Sequence, residues 1–246
     1  MKTSNILITT ALLIFVCSLI IYNVQLKAEY KNIEKVGLDK YRKMNRFNNY
    51  EEINVSTFKN VEIEAANFLV LSIEHGEKEA IWIKKPSKEL VNFNQIGNTL
   101  FVDLSKKGIK ENPSNSIQVV VISPEIHKIS TRAYTNWLAK NIYFNRFFDV
   151  TVSGFKQNTM EIDVAPETKM KLLNNQLGTL ISKVGDKSGS GNLTIGSDNT
   201  ISSLKLQALG KSSIEVLDTD IKSFEPTVSD SAVVSMSGMV LRKIQN

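Results

Sequence analysis

The chain has 246 residues, 42% of them hydrophobic, with a net charge of +5, two histidines and one cysteine. That is enough apolar material for a globular core, and it argues against wholesale disorder. A single cysteine excludes an intramolecular disulfide and any zinc site built on paired thiolates.

The charge is unevenly placed. Residues 27–50 hold seven basic and three acidic side chains, whereas residues 51–246 hold 22 of each. The basic excess belongs to one short segment and is not the footprint of a nucleic-acid-binding domain.

Ile6 to Tyr22, ILITTALLIFVCSLIIY, runs for 17 residues without a charge. As a helix it spans roughly 26 Å, slightly less than a bilayer core of about 30 Å, and extension to Leu26 closes the gap. Tyr22 stands where an interfacial aromatic anchor belongs. Cleavage as a signal peptide is the alternative, but the residues around Val16 and Ser18, or Leu26 and Ala28, make poor cleavage sites. Cys17 also lacks the small residue expected before a lipidated cysteine. Residues 1–26 therefore read as a membrane anchor or signal segment, with the uncleaved anchor preferred. Seven basic residues follow it and only Lys2 precedes it. By that count the C-terminal part belongs in the cytoplasm.

Residues 27–50 read as a basic juxtamembrane stalk, with helical spacing broken near Gly37. The segment is either simply solvated or touches anionic headgroups, each Lys or Arg contributing on the order of 1 kcal/mol near the surface. From Glu51 the pattern becomes β. VEIEAA, FLVLSIEHGEKEAIWIKK, LFVDLS after the Gly97-Asn98 turn, and SIQVVVISP predict an antiparallel meander over 51–123, with a hairpin around Gly76.

Past Pro124, over 124–246, short apolar strands alternate with Ser, Gly, Asn and Asp turns. An offset of 20 aligns Ser213–Val216 with Val233–Met236 and Leu204 with Phe224; an offset of 21 aligns Leu193 and Ile195 with Ile214 and Val216. A repeat near 20 residues made of short strands predicts successive coils of a β-solenoid, apolar residues inward and polar residues outward. A twisted antiparallel sandwich is the competing architecture. The fold class is thus mainly β, a meander packed on a β-solenoid-like head, with one N-terminal transmembrane helix.

The strand pair FLVLSIEHGEKEAIWIKK, the LFVDLS strand, SIQVVVISPEIHKIST, and the Ser-Gly turns at 153–154, 188–191 and 237–238 together resemble the auto-transporter adhesin head domain of bacterial envelope proteins, the GIN domain. The resemblance covers roughly 51–246. The sequence departs from the pattern at Ala133-Tyr134-Thr135-Asn136-Trp137, where that family shows a Ser-Gly turn. The resemblance implies an exported β-helix-like head in the periplasm or extracytoplasmic space, against the charge count.

Chemistry-bearing residues are sparse. His75 lies in a polar connection and His127 at an outward position, so Ser-His-Asp and Cys-His schemes have little to draw on. Carboxylate pairs of the polysaccharide-cleaving kind could come from Asp149, Glu161 and Asp163, or from Asp218, Asp220 and Asp230. The alternation in TMEIDV, however, turns Glu161 and Asp163 outward beside lysines. Ser188–Asn199 lacks the Lys-Ser/Thr of a phosphate loop and reads as a turn. Asp186 and Asp198 beside glycines lack the nonapeptide calcium repeat. The aromatic stretch Trp137–Phe148 reads as a buried joint or cap, or as an exposed contact patch.

No residue is assigned as catalytic, cofactor-binding or metal-binding, and no cofactor is expected. The expected partners are the membrane, through the N-terminal helix, and a protein or glycan ligand; nucleic acid is not expected. The function that follows is a non-enzymatic, membrane-tethered envelope binding or structural module. The alternatives are a polysaccharide-acting enzyme and an envelope-sensing accessory protein.

Overall fold

The computed structural model describes residues 3–36, 46–111, 117–134 and 148–244. Its contacts divide the chain into two units, Met1–Asn49 and Tyr50–Asn246.

The first unit contains helix α1 (Thr3–Val36). Its stretch Thr10–Asn32, 23 residues, is long and apolar enough to cross a membrane, as an anchor or a signal segment would be. Leu12, Phe15 and Ile20 are all more than half exposed. Two polar side chains in this stretch turn back onto the helix. Ser18 Oγ donates to Phe15 O at 2.8 Å and Asn23 Nδ2 to Leu19 O at 2.9 Å. Satisfying polar groups within the helix is what an apolar surrounding demands.

The second unit is mainly β. In chain order it contains β1 (Tyr50–Ile53), β2 (Asn60–Ile63), β3 (Leu69–His75), β4 (Ala80–Lys84), a 3-10 turn (Lys85–Leu90), β5 (Val91–Ile96) and β6 (Thr99–Leu104). Helix α2 (Lys106–Glu111), β7 (Ile117–Ser123), β8 (Lys128–Thr131), β9 (Val150–Ser153), β10 (Lys156–Val164), β11 (Lys169–Leu173) and β12 (Gln176–Val184) follow. The chain then forms β13 (Asn192–Ile195), β14 (Thr200–Ala208), β15 (Ser213–Val216), β16 (Asp220–Val228), β17 (Val233–Met236) and α3 (Gly238–Ile244).

Two mixed sheets result. One has nine strands in the order β1-β4-β7-β3-β9-β11-β13-β15-β17, the other eight in the order β16-β14-β12-β10-β8-β2-β6-β5.

The antiparallel meander expected over 51–123 is not what forms. Only β1–β4, β4–β7 and β5–β6 pair antiparallel. The two halves of the expected hairpin, β3 and β4, are not partners: β7 lies between them, and β3 runs parallel to both β7 and β9. Likewise β2 runs parallel to β6 and β8. Alternating apolar residues report which face is buried but carry no information about strand direction. The region around Gly76 shows the local cause. Gly76 N donates to Ser123 O at 3.1 Å, and a Cβ at Gly76 would sit 2.3 Å from Ile122 Cγ2. The chain leaving β3 thus lies down on the end of β7 instead of folding back on β3.

From β8 onward the chain changes sheet at every strand, and each strand lies parallel to the one two before it. Lys156 stands beside Gln176, Gln176 beside Thr200, and Thr200 beside Asp220. In the other sheet Val150 stands beside Met170, Lys169 beside Asn192, Asn192 beside Ser213, and Ser213 beside Val233. The pairs that the sequence offsets align, Leu193 and Ile195 with Ile214 and Val216, Leu204 with Phe224, and 213–216 with 233–236, are cross-strand neighbours.

Inward residues form columns between the sheets. Met160, Leu180, Leu204 and Phe224 make one, and Val150, Met170, Leu193, Ile214 and Val234 make another. Most of these side chains are buried, each contributing about 1.5–3 kcal/mol when fully withdrawn from water. In the nine-residue strands the inward face shifts phase once, between Leu177 and Leu180, Ile201 and Leu204, and Ile221 and Phe224. Gly178 sits in the first of these steps. A Cβ there would lie 2.4 Å from Asn158 Oδ1 and 2.6 Å from Asn158 O, so the neighbouring strand leaves no room for one.

At the C-terminal end, α3 packs on β16 and buries Val240 completely. Pro226 lies in β16, the edge strand of its sheet. A proline on an edge removes a donor that would otherwise template another strand.

Replacement of Leu204 by Ala is expected to lower unfolding free energy by about 2–5 kcal/mol, because its column neighbours cannot all close the cavity. Lys205→Ala, one residue on but outward, is expected to stay within about 1 kcal/mol. Chemical denaturation of the two variants checks this.

Candidate functional site

Where the chain passes from one sheet to the other, backbone groups leave the ladders and need new partners. At one corner these come from Asn175 and Asn199, both buried. Phe155 N donates to Asn175 Oδ1 at 3.0 Å, while Asn175 Nδ2 donates to Val152 O and to Asn199 Oδ1, each at 3.0 Å. Asn199 Oδ1 also accepts from Asn175 N at 3.0 Å, and Asn199 Nδ2 donates to Leu172 O and Gly196 O at 2.9 Å. Thr219 holds the next level, its Oγ1 donating to Gly196 O at 2.8 Å. An amide is suited to this place because it carries donor and acceptor together. On the opposite side hydroxyls do similar work: Thr168 Oγ1 donates to Ala165 O at 2.7 Å, and Ser212 Oγ to Leu209 O at 2.6 Å.

These corners hold the outer faces of both sheets flat and in register, and each outer face carries a groove. On the eight-stranded sheet a cavity of about 330 Å³ is lined by Glu161, Asp163, Ile181, Lys183, Lys205 and Glu225, among others. On the nine-stranded sheet a cavity of about 350 Å³ runs from Asp149 and Lys171 across Asn192, Thr194 and Ser213 to Ser235. The second groove exists because outward side chains on β13, β15 and β17 are mostly short beside the lysines of β11. Asp149 Oδ1 at its wall is buried and has no hydrogen-bond partner.

The candidate acids separate into these settings. Glu161 and Asp163 share the outward face of β10, two residues or about 7 Å apart. Glu161 is ion-paired with Lys128, and Asp163 with Lys183 at 3.8 Å. The hydrogen bond from Lys128 to Glu161 holds the Lys128 ammonium above the usual lysine range. Asp149 does not join them; it lines the other sheet's groove. Glu215, the second carboxylate of that groove, is three strand spacings away, about 14 Å. Retaining and inverting glycosidases place their carboxyls at about 5–9.5 Å. Asp218 and Asp220 flank Thr219 at a corner, while Asp230 lies beyond the far end of β16, so the structure does not unite the three.

His127 is exposed beside Glu125 at 3.4 Å. The hydrogen bond from Lys59 holds the Glu125 carboxyl below its usual range. His75, at the end of β3, sets its ring edge-on to Phe155 at 6.0 Å. Asp186 closes a turn, its Oδ1 accepting from Ser188 N at 2.7 Å, Ser188 Oγ at 2.8 Å and Gly189 N at 2.8 Å. Among the described residues no group of three or more His, Cys, Asp or Glu side chains converges as metal ligands would. Of the aromatic stretch, residues 137–147 lie outside the described residues. Tyr134 meets Phe68 edge-on at 5.9 Å and exchanges hydrogen bonds with Asn67.

The asparagine column and the groove on the nine-stranded sheet are absent from the sequence reading. Asn175 and Asn199 look like ordinary turn residues. Their shared position, immediately before a long strand, is the one signal that could have picked them out.

Comparison with known proteins adds the following. No family model and no curated protein matches the chain. Among solved structures, a "putative adhesin" from Bacteroides fragilis is 14% identical over 76% of this chain and 94% of its own, with a TM-score of 0.39. A "putative lipid binding protein" from Parabacteroides distasonis is 13% identical over 76% and 96%, TM-score 0.35. A "putative adhesin" from Parabacteroides merdae is 12% identical over 76% and 95%, TM-score 0.30.

Asn199→Ala strips Leu172 O and Gly196 O of a donor and Asn175 of an acceptor, all buried. It is expected to cost at least ~2 kcal/mol in denaturant unfolding, against a near-neutral Lys211→Ala. At Asp186 the hydrogen bonds from Ser188 and then Gly189 depress the carboxyl pKa. The folded group therefore releases its proton below the pH at which an unfolded Asp would. Its stabilisation of the turn is complete above the ordinary Asp range and lost as pH falls through the depressed value. The amide shifts of Ser188 and Gly189 are expected to move only in that more acidic window, as NMR titration reads directly.

Proposed function

We propose that this chain is a membrane-tethered binding or structural module of the bacterial cell envelope, resembling an adhesin head and without a catalytic centre. The strands from β8 to β17 are read as coils of a β-solenoid, and function resides on their outer faces. The observation that carries the reading is the alternation of strands between two sheets, each parallel to the strand two before, which sets outward residues in continuous cross-coil columns. Such columns make long, regular surfaces of the kind solenoids use for binding.

The α1 stretch Thr10–Asn32 supports the tether. With α1 as an uncleaved anchor, the β unit stands on the far side of the membrane from the cytoplasm, in the periplasm or an equivalent compartment. Ion pairing of Glu161 and Asp163 with lysines supports a solvated binding face. Their spacing of about 7 Å is the one feature that favours a polysaccharide-acting enzyme.

Protease added to intact cells, spheroplasts and lysates separates the placements. Cleavage of the β unit once the outer barrier is opened, with an N-terminal fragment still in the membrane, is the expected result. Protection until lysis would place the β unit in the cytoplasm and overturn the reading.

A further inference from the structure

We propose that the groove on the outer face of the nine-stranded sheet, defined by Asp149, Lys171, Asn192, Thr194, Ser213 and Ser235, is a binding site for an oligosaccharide. The proposal rests on the extended-surface reading above and gives it a place and a ligand chemistry.

The shape comes first. Lys171, Thr194, Glu215 and Ser235 stand in one cross-strand column, and Lys169, Asn192 and Ser213 in the next. Short hydroxyl and amide side chains follow the lysines, so a trough runs across the strands. From β9 to β17 there are four strand spacings, giving a length of about 19 Å. That suits a chain of several sugars better than a single small molecule.

The chemistry of the walls comes next. Backbone groups of β11, β13 and β15 are engaged in parallel ladders on both sides. A ligand lying in the trough therefore meets side chains only. A peptide that binds by strand addition needs an open edge, which these interior strands do not offer. Hydroxyls, an amide, ammoniums and carboxylates side by side match a ligand whose every hydroxyl can both donate and accept.

The third observation is Asp149. A buried carboxylate oxygen without a donor is unfavourable, and native structures rarely leave one so. The terminal torsion of an aspartate is broad, so the carboxylate can turn toward a donor placed in the trough. A sugar hydroxyl supplies that donor.

The test uses the full chain in a sugar-free detergent, titrated calorimetrically with maltohexaose, hexagalacturonate and chitohexaose in turn. At least one is expected to bind. Asp149→Asn should weaken that binding roughly tenfold or more, the loss expected for one hydrogen bond to a charged acceptor. Ser213→Tyr, which fills the trough from an exposed position, should abolish it, and Lys211→Ala should leave it unchanged. Thermal unfolding of each variant is recorded alongside, and Ser213→Tyr decides the matter if Asp149→Asn does not fold.

Absence of binding to all three sugars, or binding that Asp149→Asn and Ser213→Tyr leave intact, overturns the proposal. If the protease experiment shows an exported β unit and no sugar binds, only the groove assignment fails. If the β unit proves cytoplasmic, the reading beneath it fails as well.

Discussion

The structure depends on satisfying backbone hydrogen bonds at the corners where the chain crosses between sheets. Within the ladders, parallel neighbours take up N–H and C=O groups automatically. At a corner they cannot, and a buried group left alone costs about 1–3 kcal/mol. Asn175 and Asn199 answer this by stacking: each amide serves its own level and the next, so one corner fixes the position of the following one. The inward columns can then align, and both outer faces inherit their regularity. Register, core and surface are consequences of one buried polar column.

What the sequence makes legible follows from this. The recurrence of 20 to 21 residues in 193–236 is visible because inward residues must align coil on coil, and its aligned pairs are true neighbours. Over 51–123 the same alternation is equally clear in FLVLSIEH and AIWIK, yet the pairing differs from a hairpin. Nothing in a period of two encodes direction, and the insertion of β7 between β3 and β4 depends on contacts far along the chain. The corner asparagines stay hidden for a different reason. Asn is the commonplace residue of turns, and only burial distinguishes Asn199 from the exposed Asp198 beside it. The outward placement of Glu161 and Asp163 is legible, because their neighbours Met160, Ile162 and Val164 define the inward phase. The groove at Asp149 is not, since it arises from differences in side-chain length among strands 20 or more residues apart.

Charge and shape divide the two outer faces. The eight-stranded sheet offers long side chains locked in pairs, Lys128 with Glu161, Lys183 with Asp163, Lys205 with Glu225. Exposed pairs of this kind contribute little to stability, about 0–1 kcal/mol each, and present a balanced surface. The nine-stranded sheet instead offers short side chains over a trough. The neutrality of residues 51–246 as a whole conceals this difference, because it is an average over two dissimilar faces.

The cross-coil columns also bear on how such a chain can change over evolutionary time. Each level contacts chiefly the levels above and below it, so duplication of a stretch such as Thr200–Gly210 with the short strand that follows would add a storey without disturbing the others. A corner residue equivalent to Asn199 would come with it, already suited to bond the amide beneath. Reach along the stack is therefore a modular trait, open to lengthening or shortening by whole coils, while a change of a single residue in number would shift every inward side chain out of phase.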